Sequence, residues 1–193
     1  MNKIPNEVEP LKNIKDIEKI KQYLKGKDNK RDYTIFTVGI NVGLRAGDLL
    51  SLKWEDVLEG NTIKDTVYIK EEKTDKNKAF DLNKSAKDAL RLYLNTQEGV
   101  LMGDYIFKSR KGDDHLQVRS LHKIINTLVR ELKIKGNYGT HSLRKTFGYH
   151  RYINNVKLET LQKIFNHSTQ AMTLKYIGIT REVIQDAYNM VNL

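Results

Sequence analysis

The chain has 193 residues, and 34 Lys and Arg against 24 Asp and Glu leave a formal charge of +10 at neutral pH. With no cysteine, it carries no disulfide framework, no thiolate metal site and no Cys nucleophile. No run of about eighteen apolar residues occurs, and the opening MNKIPNEVEPLKNIKD lacks a signal-sequence core, so a cytoplasmic protein with no membrane partner is expected.

The length fits one domain, residues 1–193, around one core. Both prolines, Pro5 and Pro10, precede a chain that otherwise lacks the strongest helix breaker. Leu11, Ile14, Ile17, Ile20, Tyr23 and Leu24 recur at helical steps and predict an amphipathic helix ending near Gly26. The apolar segment from Lys30 to Leu44 reads as a buried helix, and Ala46 to Leu52 as a short one after the turn at Gly43-Leu44-Arg45.

From Trp54 to Leu82 the pattern changes. Glu59-Gly60-Asn61 is turn chemistry, Thr66 to Lys70 is rich in β-branched residues, and Asp75-Lys76-Asn77 precedes Ala79 to Leu82. A three-stranded antiparallel sheet is expected there. Helical spacing returns at Ser85–Asn95, Val118–Leu132, Ser142–Asn154, Leu158–Asn166 and Arg181–Val191. The fold class is therefore mostly α with a small three-stranded antiparallel β-sheet (α+β).

The positive surplus favours a polyanionic partner, because neutralised phosphates release condensed counterions, and nucleic acid is the first candidate. The cations are spread along the chain, densest at Lys70, Lys73, Lys76 and Lys78, so the charge belongs to a folded surface. No phosphate-binding Gly-x-x-x-x-Gly-Lys loop or His-Glu-x-x-His helix is present, and the five histidines form no close ligand pair. Neither a cofactor nor a metal is expected.

Three segments place basic and phenolic residues where helical patterning does not require them: GLRAGDLLSLKW, HSLRKTFGYH and FNHSTQAMTLKY. In that order they resemble the motifs of the tyrosine recombinases, the phage-integrase family, over roughly Tyr33 to Leu193. The resemblance implies the recombinase catalytic-domain fold and a set of catalytic positions. Arg45 matches the first arginine, with Asp48 where the family usually has Glu; read locally, it is an arginine paired with Asp48. Lys73 matches the hairpin lysine, with Lys76 its nearest rival. His141 and Arg144 match His-x-x-Arg, and their spacing puts both on one helix face, with Thr140 a candidate cap. His167 matches the second histidine, where Asn166 replaces the usual Gly and tolerates a left-handed backbone. Tyr176, nine positions after His167, matches the nucleophile, while Tyr149 and Tyr152 are weaker alternatives on the helix of Arg144.

What the resemblance implies is site-specific recombination of double-stranded DNA through a covalent 3′-phosphotyrosine, by a homodimer or tetramer assembled on DNA. The family's usual N-terminal DNA-clamping domain has no counterpart before Tyr33. The chain thus looks like either an excised catalytic fragment or one of the short members resembling the fimbrial-switch invertases, and it is expected to need accessory DNA-bending proteins. The apolar C-terminal helix expected at 181–191 would dock on a neighbouring protomer. Two other readings remain open: DNA relaxation resembling type IB topoisomerases, and a non-catalytic DNA-binding or regulatory protein of the same fold.

Overall fold

The computed structural model describes residues 7–71, 76–109, 112–179 and 188–189. Near its centre runs α2 (Lys30–Val42), packed against α1 (Ile14–Gly26), α5 (Lys84–Leu94) and α7 (Thr140–Ile153). Ile35, Phe36, Val38, Ile40 and Val42 of α2 are all buried, which is why this segment lacks a polar face. Its buried Thr34 hydroxyl donates to Ala89 O of α5 at 3.0 Å, so the polar group is satisfied inside the core. In α6 (Val118–Glu131), Leu121, Ile125 and Leu128 face the same core. Side-chain caps from Asn13, Asn29 and Asn83 set the starts of α1, α2 and α5.

Leu11, read as the first residue of a helix, instead lies ahead of α1 in a non-helical segment against α7. Its N–H donates to Thr146 Oγ1 at 2.8 Å, and its carbonyl lies 2.8 Å from His150 Nε2. The helix α3 (Ala46–Leu50) follows as expected, whereas α4 (Trp54–Val57) occupies residues read as the start of the sheet.

The strands β1 (Leu58–Glu59) and β2 (Thr62–Ile63) form one antiparallel hairpin, and β3 (Thr66–Lys70) and β4 (Asn77–Asp81) another. The expected three-stranded ladder is thus split in two. The break falls at Lys64–Asp65, where Lys64 N–H still bonds Val57 O and Leu82 N–H bonds Asp65 O. The run 62–70 therefore serves one partner before the break and the other after it.

A second core cluster, Phe147, Leu161, Phe165 and Ile177, joins α7 to α8 (Leu158–Phe165) and to the segment after α9 (Gln170–Tyr176). Helix α9 is not among those predicted from the sequence. Thr169 Oγ1 caps it by accepting from Met172 N–H. Most of the helix expected at 181–191 lies outside the described residues.

Close approach in this cluster depends on Gly148. A Cβ there would lie 2.5 Å from Ile177 Cγ2 and 2.6 Å from Phe165 Cζ. Gly148→Ala gains about 1 kcal/mol of helix propensity, but overpacking costs about 1–3 kcal/mol. A net loss of stability is expected from denaturant melting, and a gain would show that α8 and α9 shift freely away from α7.

Candidate active site

Several elements bring the site together. Gly43 ends α2 in the left-handed conformation (φ 64°), and a Cβ there would lie 2.6 Å from Phe147 Cδ1. The chain then turns so that Arg45, extended at the N-cap of α3, projects toward the β3–β4 hairpin. Its Nη1 lies 2.7 Å from Glu71 Oε1 and 3.9 Å from Asp48 Oδ2, both on buried carboxylates. The local pairing with Asp48 is therefore present, but Glu71 is the nearer partner.

Arg144 lies on the second turn of α7 and is 3% exposed. Its Nη1 donates to Gly43 O and its Nη2 to Phe165 O, the latter at 3.1 Å, while the guanidinium sits 4.7 Å from the Phe165 ring centroid. These contacts tie the end of α2 to the end of α8. Gly139 is the N-cap of α7, so Thr140 lies inside the helix. Gly139 N–H donates to Ser142 Oγ at 3.0 Å, and because Gly139 has no side chain, its neighbours Val8 and His122 approach closely. His141 stands exposed in the first turn of α7, one turn before Arg144.

Asn166 ends α8 at φ 54° and ψ 46°, the left-handed conformation anticipated for it. The turn is closed by Asn166 N–H to Lys163 O and His167 N–H to Gln162 O, both at 3.0 Å. It delivers His167 beside α9, where Nδ1 lies 3.1 Å from Thr173 Oγ1. Thr173 also donates its hydroxyl to Thr169 O, so the ring contact is best served by an Nδ1–H donor, leaving Nε2 as the basic nitrogen.

Tyr176, the last residue of α9, is half-buried. Its ring meets His167 edge-on at 5.0 Å and Phe165 at 5.3 Å, and Lys145 Nζ lies 5.3 Å from its centroid. Burial pushes the phenol above its ordinary value, against the opposing charge and hydrogen bonding of Arg144 and the charge of Arg45. The phenol is therefore protonated at neutral pH and must lose its proton to become a nucleophile.

Of the hairpin lysines, Lys73 lies outside the described residues. Lys78 of β4 is inside the site: its Nζ donates to Glu71 Oε1 at 3.2 Å and to Ile164 O at 3.3 Å. Burial and the Arg144 and Arg45 charges push its ammonium down, while Glu71 supports it. In the sequence Lys78 stands out only as one of a basic group, and Glu71 and Thr173 do not stand out. The signal for Thr173 was its position one turn ahead of Tyr176, while Glu71 offered none.

Burial, then the Arg144 and Arg45 charges, also push the His167 imidazole down. The unfolded ring then binds a proton more readily than the folded one, so the associated stability is complete above an ordinary value of about 6.5. It is lost as pH falls from there through the lowered folded value. His167→Gln is expected to lose less melting temperature than the parent between about pH 7 and pH 5. Parallel profiles would show that this imidazole titrates alike in both states.

Among the described residues, no helix is long and apolar enough to cross a membrane. The phage integrase family matches residues 12–182. The probable integrase/recombinase YoeC of Bacillus subtilis is 34% identical over 183 residues, covering 95% of this chain and 96% of that protein. The tyrosine recombinase XerC of Caldanaerobacter subterraneus is 28% identical over 181 residues, and the match spans 91% of this chain but only 49% of that one. The crystal structure of XerA recombinase shares the fold at a TM-score of 0.77 with 20% identity, over 100% of this chain and 67% of that one. XerH bound to its palindromic difH substrate, in a post-cleavage complex, gives 0.75 with 23% identity over 98% and 55%. The convergence of Arg45, Arg144, His167 and Tyr176 thus occurs on a shared fold and along a matched sequence: the chain belongs to the phage integrase family, the tyrosine recombinases.

Proposed function

We propose that this protein is a site-specific recombinase that cuts and rejoins double-stranded DNA through a covalent 3′-phosphotyrosine. One observation carries the reading: two arginines and a histidine converge on a single half-buried tyrosine, Tyr176, in a protein with surplus positive charge. A phosphodiester attacked by a phenol gathers negative charge on its non-bridging oxygens, and fixed guanidiniums stabilise that charge more than they stabilise the ground state.

Tyr176 Oη attacks phosphorus, the bond to the 5′ oxygen breaks, and the 3′ phosphate remains on the tyrosine. Arg45 and Arg144 hold the non-bridging oxygens. His141 donates a hydrogen bond to them. His167, neutral with a basic Nε2, takes part in moving the phenolic proton. Lys73 protonates the leaving 5′ oxygen in the assignment that the family resemblance supplies. A second 5′ hydroxyl reverses the step on a new strand, so the phosphodiester energy is conserved without a nucleotide or metal cofactor.

Residues 1–193 act in this reading as a single catalytic domain in the cytoplasm, assembling on DNA as a homodimer or tetramer. Accessory DNA-bending proteins assist that assembly. The test is incubation with a nicked suicide substrate, in which the released fragment diffuses away and traps the intermediate. A denaturant-resistant protein–DNA adduct is expected. Binding of the site without any adduct would overturn the catalytic reading in favour of a DNA-binding protein.

A further inference from the structure

We propose that Glu71 is a positioning residue for strand cleavage, holding the Arg45 guanidinium in the orientation from which it meets the phosphate; this rests on the role assigned to Arg45 above. Glu71 is 4% exposed, and its Oε1 contacts Arg45 Nη1 at 2.7 Å and Lys78 Nζ at 3.2 Å. A carboxylate beside a phosphate-binding arginine repels the incoming anion and is costly to bury. What offsets this is the fixing of a long side chain whose contact with α3 is the longer one, Asp48 Oδ2 at 3.9 Å.

The clamp is anchored on the hairpin. Glu71 follows the last pair of the β3–β4 ladder, Lys70 with Asn77, and its N–H donates to Lys76 O at 2.9 Å. Lys78 Nζ extends the clamp to Ile164 O of α8, one helix end away from His167. Arg45, Glu71, Lys78 and Ile164 thus link the first arginine to the hairpin and to the histidine turn. Asp48, at 3.9 Å, is a more distant neighbour of the same nitrogen.

The test is a double-mutant cycle on the nicked suicide substrate, followed as single-turnover adduct formation with DNA affinity measured alongside. Glu71→Gln keeps the shape and removes the charge. It is expected to slow adduct formation about 100-fold, the scale of a misplaced reacting group, while DNA affinity changes less than about threefold. In an Arg45→Lys background, where the planar fork is gone, the same substitution is expected to cost less than about threefold. An equal loss in both backgrounds would mean a purely structural role and overturn the proposal, as would full activity of Glu71→Gln. Should Glu71→Gln fail to fold, Glu71→Gln with Lys78→Met removes one charge of each sign and is compared with Lys78→Met alone. A parent protein that forms no adduct fails the functional reading itself, a result distinct from any of these.

Discussion

Tyr176→Phe is expected to abolish the covalent adduct while leaving DNA binding and the fold intact. The substitution removes one oxygen and keeps the ring that packs on Phe165 and His167. The stability change should be about 1 kcal/mol or less, the size of one net hydrogen bond, because the phenol's burial opposes its contact with Arg144. Loss of the nucleophile has no comparable compensation: a phenyl ring cannot form a phosphoester, so adduct should be undetectable under conditions where the parent traps all its substrate. An alkaline signature accompanies it. A phenol raised in the folded state contributes stability that is complete below its ordinary value of about 10 and is lost as pH rises through the folded value. The parent should therefore lose stability more steeply than Tyr176→Phe above pH of about 10. An adduct that survives the substitution would move the nucleophile to another tyrosine, and Tyr152, packed against the second cluster, would be examined first.

What the sequence displays depends on how local each cause is. The faces of α1, α5 and α6 are legible because burial selects apolar residues at helical steps, as with Ile17, Ile20 and Leu24. Asn166 is legible because the left-handed turn is a one-residue requirement that Asn meets without a neighbour's help. Helix α9 is not: Ala171 and Met172 are exposed and only Thr173 is buried, so no apolar stripe forms over its seven residues. Its start is written in one side chain, Thr169. The division of the sheet at Lys64–Asp65 depends on which partner each half meets. Glu71 and Lys78 are the extreme case. An acidic residue at the end of a strand and a lysine beside a turn have ordinary solvated readings, and their roles emerge only when the hairpin meets Arg45 and α8.

Arg144→Lys separates charge from shape at the most enclosed cation of the site. The guanidinium donates in two directions, to Gly43 O and Phe165 O, and lies over the Phe165 ring. Burial pushes its ionisation down, with Arg45 acting the same way, yet Glu71 and Tyr176 support the charge. A guanidinium withstands such a site because its ordinary value lies so far above neutrality. A lysine brings one compact ammonium on a flexible stem, which cannot span both carbonyls and also meet a phosphate oxygen in a fixed direction. Each carbonyl left without a donor costs about 1–3 kcal/mol, so a clear drop in melting temperature is expected. Adduct formation should fall by about 100- to 1000-fold, the range for removing one preorganised donor from a developing oxyanion. Because charge is retained, DNA affinity and its salt dependence should change little, since both follow the number of phosphates neutralised. A fall in affinity that matched the fall in adduct formation would mean Arg144 grips the ground state and the transition state equally. Loss of rate at unchanged affinity would instead locate its contribution in the transition state, where the position of the two N–H groups matters more than the presence of a positive charge.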